Sequence, residues 1–170
     1  IPATPENFER FFGRYVFWLD HILGQSRSQL CPGVLAFLDG LQALPQPPLL
    51  GLLTGNIRLG AEIKLRHFQL WDAFGLGAFA DDHEDRDCIA AIARQRGAGL
   101  LQEGLQDEEV LVIGDTPLDI RCARAIKAKV LAVATGSHPL PELLEHKPNW
   151  AVADLTAISP TAVVETTGRP

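Results

Sequence analysis

The chain has 170 residues, 46% apolar and 21% charged, enough to bury a core in one medium domain, with or without a small appendage. Its formal net charge of −6, with the basic residues scattered, argues against a nucleic-acid surface. No apolar run reaches the ~18 residues of a membrane span. The N-terminal stretch has no signal-peptide pattern, and Cys31, Cys88 and Cys122 lack metal-ligand spacing, which fits reduced thiols in a cytoplasmic protein.

Taken in chain order, Pro5 to Leu23 reads as a helix whose wide apolar face, with Phe8, Phe11, Phe12, Tyr15, Phe17 and Trp18, is expected to pack on core or cap. Pro32 opens a second helix through Val34, Leu35, Leu38 and Leu41, which the run Leu44-Pro45-Gln46-Pro47-Pro48 ends. The strand Leu49–Thr54 follows, then a helix from about Leu59 to Phe68, a short one near Trp71, and a brief strand at Ala78 to Ala80. Beyond the acidic loop Asp81-Asp82-His83-Glu84-Asp85, a helix is expected from about Asp87 to Leu101. The strand Val110–Ile113, a helix from Leu118 to Lys127, the strand Val130–Ala134, the helix Leu140–His146 and a short strand at Trp150–Ala153 come next. The Thr-rich stretch from Ser159 to Pro170 reads as a frayed tail. Apolar rather than alternating strands, separated by helices, predict an α/β fold with a mostly parallel sheet covered on both faces.

In such sheets ligands sit beyond the carboxyl ends of the strands. Asp115 lies there, two residues past Ile113, where a carboxylate suits Mg²⁺, a hard cation that takes oxygen ligands. Asp119, near the start of the next helix, is placed either to orient metal waters or a basic side chain, or simply to satisfy free N–H groups of that helix. At the other strand end Thr54 offers a hydroxyl, and Gly55 and Asn56 offer backbone N–H groups suited to phosphate, although Thr-Gly-Asn alone is also an ordinary turn. Lys64 is a candidate to reach a phosphoryl group, or a solvated helix lysine. Arg86 is a second candidate for the same role, or an ion-pair partner of Asp82 or Asp85. His67, His83, His138 and His146 form no metal-ligand cluster, no serine sits in a nucleophile elbow, and no Gly-rich loop carries the Lys-Ser/Thr of an ATPase.

From about Cys31 to Leu155 the chain resembles the haloacid dehalogenase-like hydrolase superfamily, nearest its phosphoglycolate-phosphatase-like branch. LLTGN resembles the family's second motif, which implies Thr54 as the phosphate-binding, catalytic residue. GDTPLDI resembles the fourth, which implies Asp115 as metal ligand and Asp119 as supporting acid. For the third-motif lysine, Lys64 in AEIKLRHF is preferred, with Arg86 in DDHEDR as the alternative, because the Lys-Pro pair common in relatives is missing. The implied fold is a Rossmann-like three-layer sheet at residues 31–158, with part of a helical cap at 1–30 and a tail at 159–170.

The family's first motif, Asp-x-Asp-Gly-Thr, is absent from these residues, and Asp20 and Asp39 lack the flanking strand or glycine to replace it. Its strand belongs in the middle of the sheet, between those ending at Thr54 and Ile113, and several unpaired buried backbone groups at about 1–3 kcal/mol each would exhaust a domain's stability of about 5–15 kcal/mol. Some tens of residues ahead of Ile1, carrying the nucleophile, are therefore expected. The implied reaction is Mg²⁺-dependent hydrolysis of a small phosphorylated metabolite through an aspartyl-phosphate, by a monomer or homodimer with no nucleic-acid or membrane partner. A relative that kept the fold as a non-catalytic binding or structural protein is the alternative.

Overall fold

The computed structural model describes residues 2, 4–101 and 104–164. Seven helices and five short strands among them alternate as α1 (Pro5–Gln25), α2 (Val34–Gln42), β1 (Gly51–Leu53), α3 (Arg58–His67), β2 (Leu76–Ala78), α4 (Arg86–Leu100), β3 (Leu111–Gly114), α5 (Pro117–Ala125), β4 (Lys129–Val133), α6 (Leu140–Glu145), β5 (Trp150–Val152) and α7 (Pro160–Val164). Every strand pairing is parallel, and the strands form two groups, β1–β2 and β3–β4–β5. The expected α/β architecture is therefore present. Among the described residues no ladder joins β1 to β3, so each presents an unpaired edge.

The core follows from the period of two along β4. Val130 and Ala132 face α5 and α6, where they pack with Val112, Ile120, Ala123 and Leu143. Leu131 and Val133 face the other way, onto Phe37 and Leu41 of α2 and Val163 of α7. All four strand residues are buried, which is why this stretch reads as a continuous apolar run. Leu53 of β1 packs at the margin of the first cluster and Leu50 at the margin of the second, so both groups of strands share one layered core.

Three local differences from the sequence reading have physical reasons. The brief strand lies at Leu76–Ala78, because Gly75 and Gly77 flank its one large apolar residue and hide the pattern. It ends where Asp82 accepts the Phe79 N–H (2.9 Å), and Arg96 of α4 clamps that loop by donating to both Asp82 and the Gly77 carbonyl. Arg96 first, and then the Phe79 N–H, hold the Asp82 carboxyl below the usual carboxylate range. The stretch read as a frayed tail contains α7, with Val163 fully buried against α2. Residues 165–170 of that stretch lie outside the described residues.

The third difference is α1. Thr4 caps it by accepting the Asn7 N–H (3.3 Å), with Pro5 in the first turn. Its aromatic face, expected to be buried, is not: Phe8, Phe11, Phe12, Phe17, Trp18 and Ile22 are all exposed and several stack on one another, Phe8 and Phe12 at 6.2 Å between centroids. Tyr15 alone of the rings closes onto α3, where a Cβ on Gly60 would come within 3.0 Å of it. No described helix is long and apolar enough to cross a membrane.

If α7 is part of the core, Val163→Asp buries a carboxylate without a partner and lowers stability by at least about 2 kcal/mol. Urea denaturation followed by far-UV circular dichroism checks this against the exposed neighbour Thr161→Asp. An unchanged midpoint for Val163→Asp would mean the helix is not docked.

Candidate functional site

The Thr54-Gly55-Asn56 turn follows β1 and the Asp115-Thr116 turn follows β3, each at the carboxyl end of its strand. The side chain of Arg86 joins them. Arg86 is the first residue of α4, whose N-cap Asp85 accepts the Asp87 N–H (2.7 Å), so its side chain is directed back past the helix start. One arm of the guanidinium, Nη2, donates to Asp119 Oδ1; the other, Nη1, lies 3.6 Å from where a Cβ on Gly55 would stand. Arg86 thus pairs with neither Asp82 nor Asp85, the partners considered for it in the sequence: Asp82 is held by Arg96, and Asp85 caps α4.

Asp119 is buried and saturated. Its Oδ2 accepts the backbone N–H groups of Asp115 (3.1 Å) and Thr116 (3.0 Å) and the Thr116 hydroxyl (2.8 Å), while Oδ1 takes Arg86. Thr116 in turn caps α5 by accepting the Asp119 N–H. Two of the functions weighed for Asp119, helix-start carboxylate and partner of a basic group, are carried at once. The carboxylate fits because residue 114 is glycine; a Cβ there would overlap it. Gly136, in the turn after β4, leaves room in the same way for the carboxylate of Asp115.

Asp115 is half-buried, and its carboxylate makes no hydrogen bond among the described residues. This leaves one open carboxylate at the end of β3, and no group of three or more His, Cys, Asp or Glu side chains among the described residues is arranged to hold a metal. Mg²⁺ is commonly held by one or two carboxylates together with substrate phosphates, so Asp115 fits as a single ligand, while Asp119 is already engaged by four donors.

At the β1 end, Thr54 Oγ1 accepts both the backbone N–H (3.1 Å) and the side-chain Nδ2–H (3.0 Å) of Asn56. The Asn56 carbonyl oxygen Oδ1 accepts Lys64 Nζ at 2.9 Å. Lys64 is thereby tied to Asn56, and Arg86 lies between the Gly55 turn and Asp119. Its Nε is buried without a hydrogen-bond partner among the described residues. Cys122 lies behind this junction, donating to the Asp119 carbonyl (3.2 Å), and burial pushes its thiol up. A cavity of about 820 Å³ lies along β2 between Trp71, Phe79 and Arg96, and none of the candidate residues lines it.

Residues 86–158 match a family model described as HAD-hydrolase-like. Among solved structures, a HAD hydrolase of family IA, variant 3, from Entamoeba histolytica HM-1:IMSS superposes with a TM-score of 0.75 at 18% identity over 97% of this chain and 73% of its own. A predicted phosphoglycolate phosphatase from Haemophilus somnus 129pt gives 0.70 at 20% identity over 95% of this chain and 67% of its own. A haloacid dehalogenase-like family hydrolase from Streptococcus pneumoniae gives 0.66 at 20% identity over 76% and 58%. The fold is that of the haloacid dehalogenase-like hydrolases. At these identities the likeness carries the fold and not a reaction, and the names of these structures do not single out one branch. No curated protein matches the chain. It spans only 58% of the Streptococcus pneumoniae structure.

Sequence reasoning had each of these residues in hand but not the Arg86–Asp119 pair, because 33 positions separate them and only the packing of α4 on α5 brings them together. The pair makes opposite predictions for two aspartates on the haloacid dehalogenase-like core. Asp119→Asn leaves Arg86 without a counter-charge and costs about 3 kcal/mol of stability. Asp115→Asn changes stability by less than about 0.5 kcal/mol, since its carboxylate holds nothing in place. Chemical denaturation of the two variants beside the parent measures both. Equal losses would refute the assignment.

Proposed function

We propose that the protein hydrolyses small phosphomonoesters, with the phosphoryl group held between the Thr54 turn and Arg86 at the carboxyl ends of β1 and β3. The observation that carries this reading is the guanidinium of Arg86 spanning from the Gly55 turn to Asp119, whose turn carries one open carboxylate, Asp115. The Thr54 hydroxyl has both lone pairs engaged and its proton left to give. Arg86 has a buried Nε–H without a hydrogen-bond acceptor among the described residues, and the Gly55 N–H sits at the Thr54 turn. Donors left unpaired at a buried junction favour an acceptor-rich ligand, and a phosphoryl group brings three such oxygens. In this reading Arg86, rather than Lys64, neutralises phosphoryl charge. Asp115 is the residue that would hold Mg²⁺, whose contribution when bound is positive charge at a phosphoryl oxygen.

The nucleophile in this proposal is an aspartate outside residues 1–170, at the end of a parallel strand seated between β1 and β3. Two features support that seat. β1 and β3 each present an unpaired edge, and Ile113 of β3 is 41% exposed although β3 is the strand nearest the open seam. The carboxylate attacks phosphorus in line, the ester oxygen leaves as an alcohol after gaining a proton, and water cleaves the aspartyl-phosphate to inorganic phosphate. Asp119 takes no proton; it fixes Arg86 and the turn that carries Asp115. The resemblance of the two motifs to the phosphoglycolate-phosphatase-like branch makes phosphoglycolate the first substrate to assay.

With the full-length polypeptide that contains these residues, Mg²⁺-dependent release of inorganic phosphate from phosphoglycolate or another small monoester is the expected result. Thr54→Val, which removes one donor to the phosphoryl group, lowers kcat about a hundredfold. Absence of hydrolysis across a panel of monoesters would overturn the proposal and leave a binding protein on this fold.

A further inference from the structure

We infer that Lys64 is a positioning residue that sets the direction of hydrogen bonding at Thr54 through Asn56, and so makes the Thr54 hydroxyl an obligatory donor to an anionic ligand. The inference rests on the reading of Thr54 as a phosphoryl-binding group, and adds a residue that determines what that group will accept.

The argument is one of donor and acceptor capacity. An ammonium has three donors and no acceptor. With Lys64 Nζ 2.9 Å from the Asn56 side chain, only the carbonyl oxygen Oδ1 can face it. That choice turns the amide nitrogen Nδ2 toward Thr54, where it donates to Oγ1 at 3.0 Å. The backbone N–H of Asn56 donates to the same oxygen at 3.1 Å. A threonine hydroxyl has two lone pairs and one proton. Both lone pairs are now used, and the proton is the one capacity left. Every bond in the chain from Lys64 to Thr54 runs the same way, donor to acceptor, and the last donor points at the ligand.

Without Lys64 the carboxamide is free to turn over. Oδ1 would then face Thr54 and draw its proton inward, and the hydroxyl would meet a ligand with a lone pair. Such a hydroxyl repels an ionised phosphoryl oxygen and welcomes a protonated one. Lys64 therefore selects for the ionised phosphate ester without touching it. The selection acts over Asn56 rather than over the length of the lysine side chain, so a direct charge at the phosphate is not needed to explain why a lysine stands at position 64.

The test is a double-mutant cycle in the full-length protein, with affinity for inorganic phosphate as one readout and kcat/KM for a phosphomonoester as the other. Lys64→Met alone weakens both about tenfold, and Thr54→Val alone about a hundredfold. The Lys64→Met/Thr54→Val double variant is no worse than Thr54→Val, because Lys64 has nothing left to orient. Asn56→Asp, which keeps the size but whose side chain offers Thr54 only acceptors, matches the loss of Thr54→Val, and Lys64→Arg retains most of the parent's affinity. Additive losses in the cycle would overturn the inference, since they mean Lys64 meets the ligand itself. A readout independent of any activity is the Asn56 side-chain NH₂ pair in a ¹⁵N correlation spectrum, which shifts toward solvent-exposed values in Lys64→Met. If the parent hydrolyses no monoester, the proposed function fails while this spectrum still decides the relay. An unmoved Asn56 pair would refute it.

Discussion

Everything at the carboxyl end of this core hangs on the buried carboxylate of Asp119. Burying a charge is costly unless it is paired and fully hydrogen-bonded, and here four donors meet it: two backbone N–H groups, one hydroxyl and one guanidinium arm. Three of those donors belong to the Asp115-Thr116 turn itself, so the charge shapes the turn that aims Asp115 outward. The fourth belongs to α4, so the same charge fixes where Arg86 stands relative to β1. A neutral residue at 119 would leave the turn without its organiser and Arg86 without its anchor. Gly114 is the other half of this constraint, because the carboxylate occupies the space that any side chain at 114 would need.

How much of this was legible in the sequence depends on the range of each interaction. The strand β4 and its neighbours were plain, since an unbroken apolar run such as Val130–Val133 has few readings other than a strand covered on both faces. The turns after β1 and β3 were legible as chemistry because Thr54-Gly55-Asn56 and Gly114-Asp115-Thr116 are contiguous and local capping rules describe them. The β2 strand was misplaced by two residues because its flanking glycines carry no hydrophobic signal. The α7 helix was missed because a five-residue helix has almost no period to detect, and only Val163 in its pocket declares it. The partners of Lys64 and Arg86 were illegible in principle. Both are basic residues at helix positions, and what separates them is a partner, Asn56 for one and Asp119 for the other, that the fold supplies.

The exposed faces of the fold divide into two kinds. On α1 the rings of Phe8, Phe11, Phe12, Phe17 and Trp18 are apolar surface only, and their backbone groups are satisfied within the helix. Leaving them in water forgoes hydrophobic stabilisation but strands no hydrogen bond. The seam between β1 and β3 is different in kind. There the facing strand edges carry backbone donors and acceptors beside a packed core, Leu53 and Val112 lie in one apolar cluster across it, and Arg86 Nε is buried without a hydrogen-bond partner among the described residues. A buried unmet donor such as Arg86 Nε costs about 1–3 kcal/mol, against a total stability of about 5–15 kcal/mol for a domain. On the proposed reading, one parallel strand ending in an aspartate meets all of these requirements together. Its ladder pairs both edges, its side chains cover Ile113, and its carboxylate arrives beside Arg86. The stability of the core and the supply of a nucleophile would then be the same structural event.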